Sequence, residues 1–251
     1  MTYFLKNGIS LGNTMSNQKL KKIINYHLSK VLEYNAFERF EGVTDKSSFL
    51  NMIGNDPAFA PFFLNDTKYV TARIGGNLIT SLHRKLGDMY EEIFQTLLAD
   101  KLNISSEDLS YSLMLNIDNK SQKRSTDGLI SYSKLSLENA RRIEQLKTDK
   151  TAIGMAFEVR SCYQIGDSKR IQADRDMALA LNNKKIEPVM IIFCSSSLTS
   201  PVRRLREYWK VYEGDNAFEF VKLLTGFDLL SYFKQEDKLI REIMDKIFDM
   251  M

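Results

Sequence analysis

The sequence predicts an α/β chain of the α+β-like kind, with a mixed central β-sheet flanked by helices. Three observations predict it. Apolar residues recur at helical spacing through the N-terminal part of the chain. Strand-like runs take over at Tyr111. A further helical stretch then leads into V-M-I-I-F-C (Val189–Cys194), an apolar run typical of a strand buried on both faces.

Taken in order, Leu20, Ile23, Ile24, Leu28, Val31 and Leu32 mark one face of a helix from Ser16 to about Phe40, with Ser16 as its cap. Residues 55–66 combine Pro and Phe in a turn region. A second helix runs from about Gly76 to Lys101, its stripe formed by Leu82, Leu86, Met89, Ile93 and Leu97. Y-S-L-M-L-N-I (Tyr111–Ile117) is a strand, Asp118–Gln122 a turn and Arg124–Tyr132 a second strand, together a hairpin. Ser136–Lys150 is charged and helical, and Met155–Arg160 is a third strand. Ser168–Asn182 is an amphipathic helix with Ile171, Met177, Ala178 and Leu181 on its apolar side. Pro188 introduces the apolar strand, after which helices are expected over Pro201–Tyr212, Ala217–Thr225 and from Lys234 to the end. A strand–helix–strand connection makes the last two strands parallel.

The chain has 251 residues, 43% hydrophobic and 27% charged, which suits one domain over 1–251 with an N-terminal helical region, 1–75, packed on it. Its net charge of +3 permits a polyanionic partner without arguing for one. No run approaches the ~20 apolar residues of a membrane span. Met1–Asn17, with one Lys and breaks at Gly8 and Gly12, does not read as a signal peptide, so a reducing cytoplasm is the expected home. Cys162 and Cys194 fall in or beside strands and read as buried free thiols. His27 and His83 have no partner at metal-ligand or triad spacing and read as surface or packing histidines. Gly75-Gly76 lacks the Lys-Ser/Thr of a P-loop, so nucleotide hydrolysis has no support.

The chemistry concentrates in three residues. Asp127 opens the second strand in S-T-D-G-L-I, and Glu158 and Arg160 lie in M-A-F-E-V-R. Side chains alternate along a strand, so Glu158 and Arg160 leave the third strand on the same face. With Asp127 on the neighbouring strand, two carboxylates can converge on a hard divalent cation such as Mg²⁺, which favours oxygen ligands and keeps several waters. The cation beside them can stabilise a pentavalent phosphate.

This order, D…E-x-basic on adjacent strands followed by a helix and an apolar strand, resembles the core of the PD-(D/E)XK nuclease superfamily. The stretch E-V-R-S-C-Y-Q-I-G-D-S-K-R-I-Q-A-D-R-D is similar in flavour to type II restriction endonucleases. The resemblance covers roughly Leu86–Cys194. It implies a restriction-endonuclease-like core over 86–194 and a C-terminal helical region over 195–251. It further implies Asp127 and Glu158 as ligands of Mg²⁺, cleavage of double-stranded DNA at a palindromic site by a homodimer, and a cognate DNA methyltransferase as a functional partner in a bacterial cytoplasm. The family usually has Lys where this chain has Arg160, and Pro where it has Thr126. Three options stay open: Arg160 serves directly, Lys169 reaches in from the next helix, or the site is weakened to a DNA-binding or complex-forming module.

Other candidates surround this centre. In several superfamily members a helix before the sheet adds a carboxylate, and in L-G-D-M-Y-E-E-I-F Glu92 flanks the apolar stripe while Glu91 points nearly opposite. Ser168, Lys169 and Arg170 at a helix start suit a phosphate, with Gln172 close behind. In S-S-S-L-T-S-P-V-R-R-L-R the hydroxyls of Ser195, Ser196, Ser197 and Thr199 and the cations Arg203, Arg204 and Arg206 can contact DNA. Arg141, Arg142, Lys147 and Lys150 form a second DNA-facing candidate, although charge runs are more often solvated faces.

Overall fold

The computed structural model describes residues 3–38, 40–117, 120–164 and 168–251. The chain divides into two compact units, one of Met1–Ile23 with Gly87–Glu236 and the other of Ile24–Leu86 with Asp237–Met251. Helices α1 (Tyr3–Leu32) and α3 (Thr67–Leu102) contribute residues to both. Among the described residues no helix is long and apolar enough to cross a membrane.

The larger unit holds the sheet. A short helix, α4 (Ser106–Leu109), is capped by the Ser105 side chain and leads into β1 (Tyr111–Ile117), which pairs antiparallel with β2 (Lys120–Thr126). The Asp118–Asn119 part of the expected turn lies outside the described residues. The expected second strand is broken. Asp127 interrupts it, and β3 (Gly128–Ser131) continues in a separate four-stranded sheet with β4 (Gly154–Arg160), β5 (Ile186–Ile192) and β6 (Lys210–Glu213). β3 and β4 are antiparallel, while β4–β5 and β5–β6 are parallel, so the sheet is mixed. Gly154 permits the β3–β4 approach, since a Cβ there would lie 2.5 Å from the Ile130 carbonyl oxygen.

Both faces of this sheet are covered, as the apolar strands require. On one face Ala156, Met190 and Ile192 pack with Met177, Ala178 and Leu181 of α6 (Ser168–Asn183), with Trp209, and with Leu113 and Leu115 of the hairpin. On the other, Phe157 meets Phe94 of α3 at 5.0 Å and Phe220 of α8 (Asp215–Thr225) at 6.4 Å between ring centroids. Glu158 and Arg160 share the parity of Ala156, and so continue the face that α6 covers.

Several boundaries correct the sequence-based expectations. Ser16 sits inside α1, where its hydroxyl donates to Asp100 at 3.3 Å, so it is not a cap. Pro188 lies within β5, paired with Ala156, instead of preceding the strand. The helix expected over Pro201–Tyr212 stops early: α7 spans Thr199–Leu205, and Lys210–Glu213 is strand β6. The last helical region is two helices, α9 (Leu229–Gln235) and α10 (Asp237–Phe248), and the charged insert yields one short helix, α5 (Leu137–Glu144).

In the smaller unit, α2 (Lys46–Gly54) starts at a capping box in which Asp45 and Ser48 satisfy each other's backbone N–H groups. Its Phe49 and Ile53 pack with Val70 and Ile74 beneath Phe37 and Phe40, and Arg73 stacks 5.3 Å from the Phe49 ring centroid.

Candidate functional site

β4 and β5 run in parallel and end side by side at Arg160 and Ile192, leaving a polar recess of about 310 Å³ beyond β4. Such a recess at the carboxyl ends of parallel strands is where ligands bind in α/β sheets. Lys123, Arg124 and Ser125 of β2, Asp127, Glu158 and Arg160, and Arg170, Ala173, Asp174 and Met177 of α6 line it.

Asp127 is positioned by backbone groups and by one side-chain amide. Its N–H donates to the Phe157 carbonyl at 2.8 Å, and its carbonyl accepts from Gln95 Nε2 at 3.1 Å. Its Oδ2 accepts from the Val159 N–H at 2.7 Å. The strand break therefore turns the Asp127 carboxylate against the end of β4. One guanidinium then spans both acids: Arg160 lies 3.5 Å from Asp127 Oδ2 and makes a direct ion pair with the Glu158 carboxylate. Arg160 also donates to the Val159 carbonyl at 2.9 Å, which fixes its plane.

The acids nonetheless exceed their cation in the buried part of the recess. Glu158 and Asp174 are buried. Burial pushes the Asp127 carboxyl above the ordinary aspartate range, against the opposing pull of Arg160, the Val159 N–H and Arg170, while Asp174 pushes it further up. Glu91 on α3 is raised too, by burial first and by the Asp127 charge second. Gln95 joins these acids, its Nε2 donating to Glu91 Oε1 and to the Asp127 carbonyl, both at 3.1 Å. Asp174 is held in place by Tyr163, whose hydroxyl donates to Oδ2 at 2.9 Å, and by Arg170 at 3.6 Å.

The structure thus brings Asp127, Glu158, Arg160 and Arg170 together, with Lys123, Arg124, Asp174 and Glu91 as additions. Lys123 and Arg124 were legible as cations just upstream of Asp127, and Asp174 as the residue one turn beyond Arg170. Glu92 lies elsewhere: it lines a separate cavity with Lys19, Thr96, Asp100 and Thr126, while its neighbour Glu91 is the helix acid that acts on Asp127. Lys169 and Gln172 are exposed on α6 and outside the lining of the recess, and the side chain of Ser168 lies outside the described residues.

Ser195, Ser196 and Thr199 are exposed beyond β5, as are Arg203 and Arg204 on α7; Arg206 instead pairs with Glu213 at 3.0 Å. Ser197 is half-buried and accepts from the Tyr163 N–H at 3.1 Å. The charged insert does not reach the recess: Lys147 sits 4.1 Å over the Tyr132 ring, Arg142 donates to Asn139, and Thr148 bonds Glu187 at the opposite end of the sheet. His27 is buried in the smaller unit, its ring 5.1 Å from Tyr26.

Among the described residues no group of three or more His, Cys, Asp or Glu is placed to hold a metal. Asp127 and Glu158 are the carboxylates that would supply oxygen ligands to a cation that completes its shell with water, as Mg²⁺ does. A carboxyl raised by burial and by a neighbouring acid, as Asp127 is by Asp174, is also the electrostatic setting that a divalent cation relieves. No family model matches the chain, and no curated protein and no solved structure matches it.

Proposed function

We propose that the chain is a Mg²⁺-dependent endonuclease that hydrolyses phosphodiester bonds in double-stranded DNA, working as a type II restriction enzyme of the PD-(D/E)XK kind. The observation that carries this reading is the convergence of Asp127 and Glu158 on one guanidinium, from a strand break and the adjoining strand, in a recess edged by Lys123, Arg124 and Arg170. The succession of α3, the hairpin, β4, α6 and β5 supports it as well.

Asp127 and Glu158 would hold the metal, and what a divalent cation supplies at such a pair is Lewis-acid activation of the phosphodiester and of the attacking water. The chain's own residues do the rest. Arg160, relieved of its carboxylates, turns its fork of donors toward the phosphate and meets the charge that builds on its oxygens. Lys123, Arg124 and Arg170 hold the flanking phosphates, which gives affinity that falls with salt. A homodimer would present two such recesses to a palindromic site.

A second reading is favoured by a specific observation: Arg160 already pairs with both carboxylates that a metal would use. On that reading the chain is a DNA-binding or complex-forming module that does not cut. One experiment separates the two. Unmethylated phage DNA is incubated with the protein in Mg²⁺ or in EDTA and resolved on a gel. Discrete bands in Mg²⁺ only, lost in Asp127→Asn and Glu158→Gln, support the enzyme. Salt-sensitive DNA retention without cleavage, unaffected by these substitutions, supports the module.

A further inference from the structure

The chain's two cysteines, separated by β4's exit loop, α6 and β5, end up as neighbours. The parallel ladder brings this about. Arg160 partners Ile192, and beyond the strand ends the two segments stay tied together, Phe193 N–H donating to the Arg160 carbonyl at 3.0 Å and Cys194 N–H to the Ser161 carbonyl at 2.8 Å. Two steps beyond Arg160 and Ile192 stand Cys162 and Cys194. Their thiols are close enough to hydrogen-bond one another.

The side chains converge too. Both thiols are free and half-buried. They approach one hydroxyl, Ser197 Oγ, at 4.0 Å from Cys162 and 3.3 Å from Cys194. The loop carrying them is already tied down, because Ser197 Oγ accepts from Tyr163 N–H and Leu198 N–H donates to the Tyr163 carbonyl at 2.9 Å. Closing a bond here therefore requires little backbone movement.

We propose that Cys162 and Cys194 form a redox-active pair that peroxide oxidises to an intramolecular disulfide. The two thiols are not equivalent. Burial pushes the Cys194 thiol up, but hydrogen bonds from Cys162, Ser197 and Ser196 outweigh it and leave the group below the ordinary cysteine value. Burial and the neighbouring Cys194 raise Cys162. With the Ser197 hydroxyl also nearer to it, at 3.3 Å against 4.0 Å from Cys162, Cys194 is the attacking sulfur. Its thiolate attacks hydrogen peroxide: an S–O bond forms, the O–O bond breaks, and the departing hydroxide takes a proton to become water. Cys162 then gives up its proton and attacks the Cys194 sulfenic acid; the S–S bond forms and the S–O bond breaks, releasing a second water. The two thiols lose two electrons and peroxide accepts them.

The bond joins the end of β4 to the end of β5, next to Tyr163, the residue that holds Asp174 at the recess. It rests on the placement of the two thiols and stands whether or not the chain cuts DNA.

The test uses the intact, reduced chain. It is treated with hydrogen peroxide, quenched by alkylation and weighed by mass spectrometry, then digested. Expected is the loss of both alkylatable thiols together, a mass lower by two hydrogens, a linked pair of peptides carrying residues 162 and 194, and full reversal by dithiothreitol. In Cys162→Ser the remaining Cys194 should stop at the sulfenic acid, trapped by dimedone. In Cys194→Ser, Cys162 should oxidise at least about tenfold more slowly. Two persistent thiols, oxygen adducts without a link, or links only between chains would overturn the proposal.

Discussion

Two glutamates lie buried in the same sheet, Glu158 near the carboxyl end of β4 and Glu187 near the start of β5, and their surroundings differ in kind. Glu187 is met by donors: Thr148 offers its N–H at 3.2 Å and its hydroxyl, and Lys210 stands at 3.6 Å. No other carboxylate competes for them in that set of bonds. Among the described residues Glu158 pairs with Arg160, and Asp127 claims the same guanidinium. A carboxylate surrounded by donors holds an insert against a sheet. Carboxylates that must share one cation keep capacity for another, and that surplus is a mark of a working site.

The largest expected effect tests the Glu158 side of this contrast. Asp127→Asn and Glu158→Gln should each lower the rate of DNA cleavage by about a thousandfold or more, while leaving the unfolding midpoint unchanged or higher, because each removes one member of a crowded set of acids. Rates from a gel assay and midpoints from circular dichroism decide it; equal rates would end the nuclease reading. The mirror experiment is Glu187→Ala, which removes the acceptor of the Thr148 donors and should cost about 1–3 kcal/mol in chemical denaturation, with cutting retained below the new midpoint.

A smaller effect sharpens the metal question. If the recess takes Mg²⁺, saturation at ten times the dissociation constant should stabilise the chain by about 1.4 kcal/mol, and Asp127→Asn should abolish that gain. A shift that persists in the variant would place the ion elsewhere. The smallest effect is in pH. The folded-state value of Asp127 lies above its unfolded value, so the folded chain holds the proton more tightly and stability falls as pH rises from about 4 through the folded value. Glu91 acts with the same sign. Denaturation curves across this window should show Asp127→Asn gaining on the native chain as pH rises; a constant gap would contradict the shared crowding of these acids.

The sequence made the site's centre legible because a two-residue period is hard to disguise: with M-A-F-E-V-R as a strand, Glu158 and Arg160 had to share a face. β1 was readable to the residue, and α6 to within one. β6 was not. Its four residues are half-buried throughout, and the preceding R-R-L-R-E-Y-W carries helix-forming residues into a strand that only the edge of β5 can stabilise. Pro188 read as a boundary because a ladder donor was assumed at every position. Glu91 was passed over for a physical reason as well. The apolar stripe of α3 points to its core contacts, whereas the neighbour that matters here is polar, the Asp127–Gln95 corner of the sheet. The β2–β3 break at Asp127 did carry a signal, the Asp127-Gly128 dipeptide, which marks turns and is depleted in strands, but the β-forming residues on either side outweighed it in a single-strand reading.

That break also bears on how such a chain could diversify. Among the described residues β1 and β2 pair with one another and with no other strand, and Asp127 is anchored through Phe157, Val159 and Gln95 and not through the hairpin's ladder. Adding or removing a matched pair of residues at the hairpin tip would lengthen or shorten the arm while the carboxylate stayed where it is. An insertion below Thr126 would instead shift the acid itself. Variation in arm length between descendants of this sequence should therefore accumulate at the tip, as an exchangeable module on a fixed hinge.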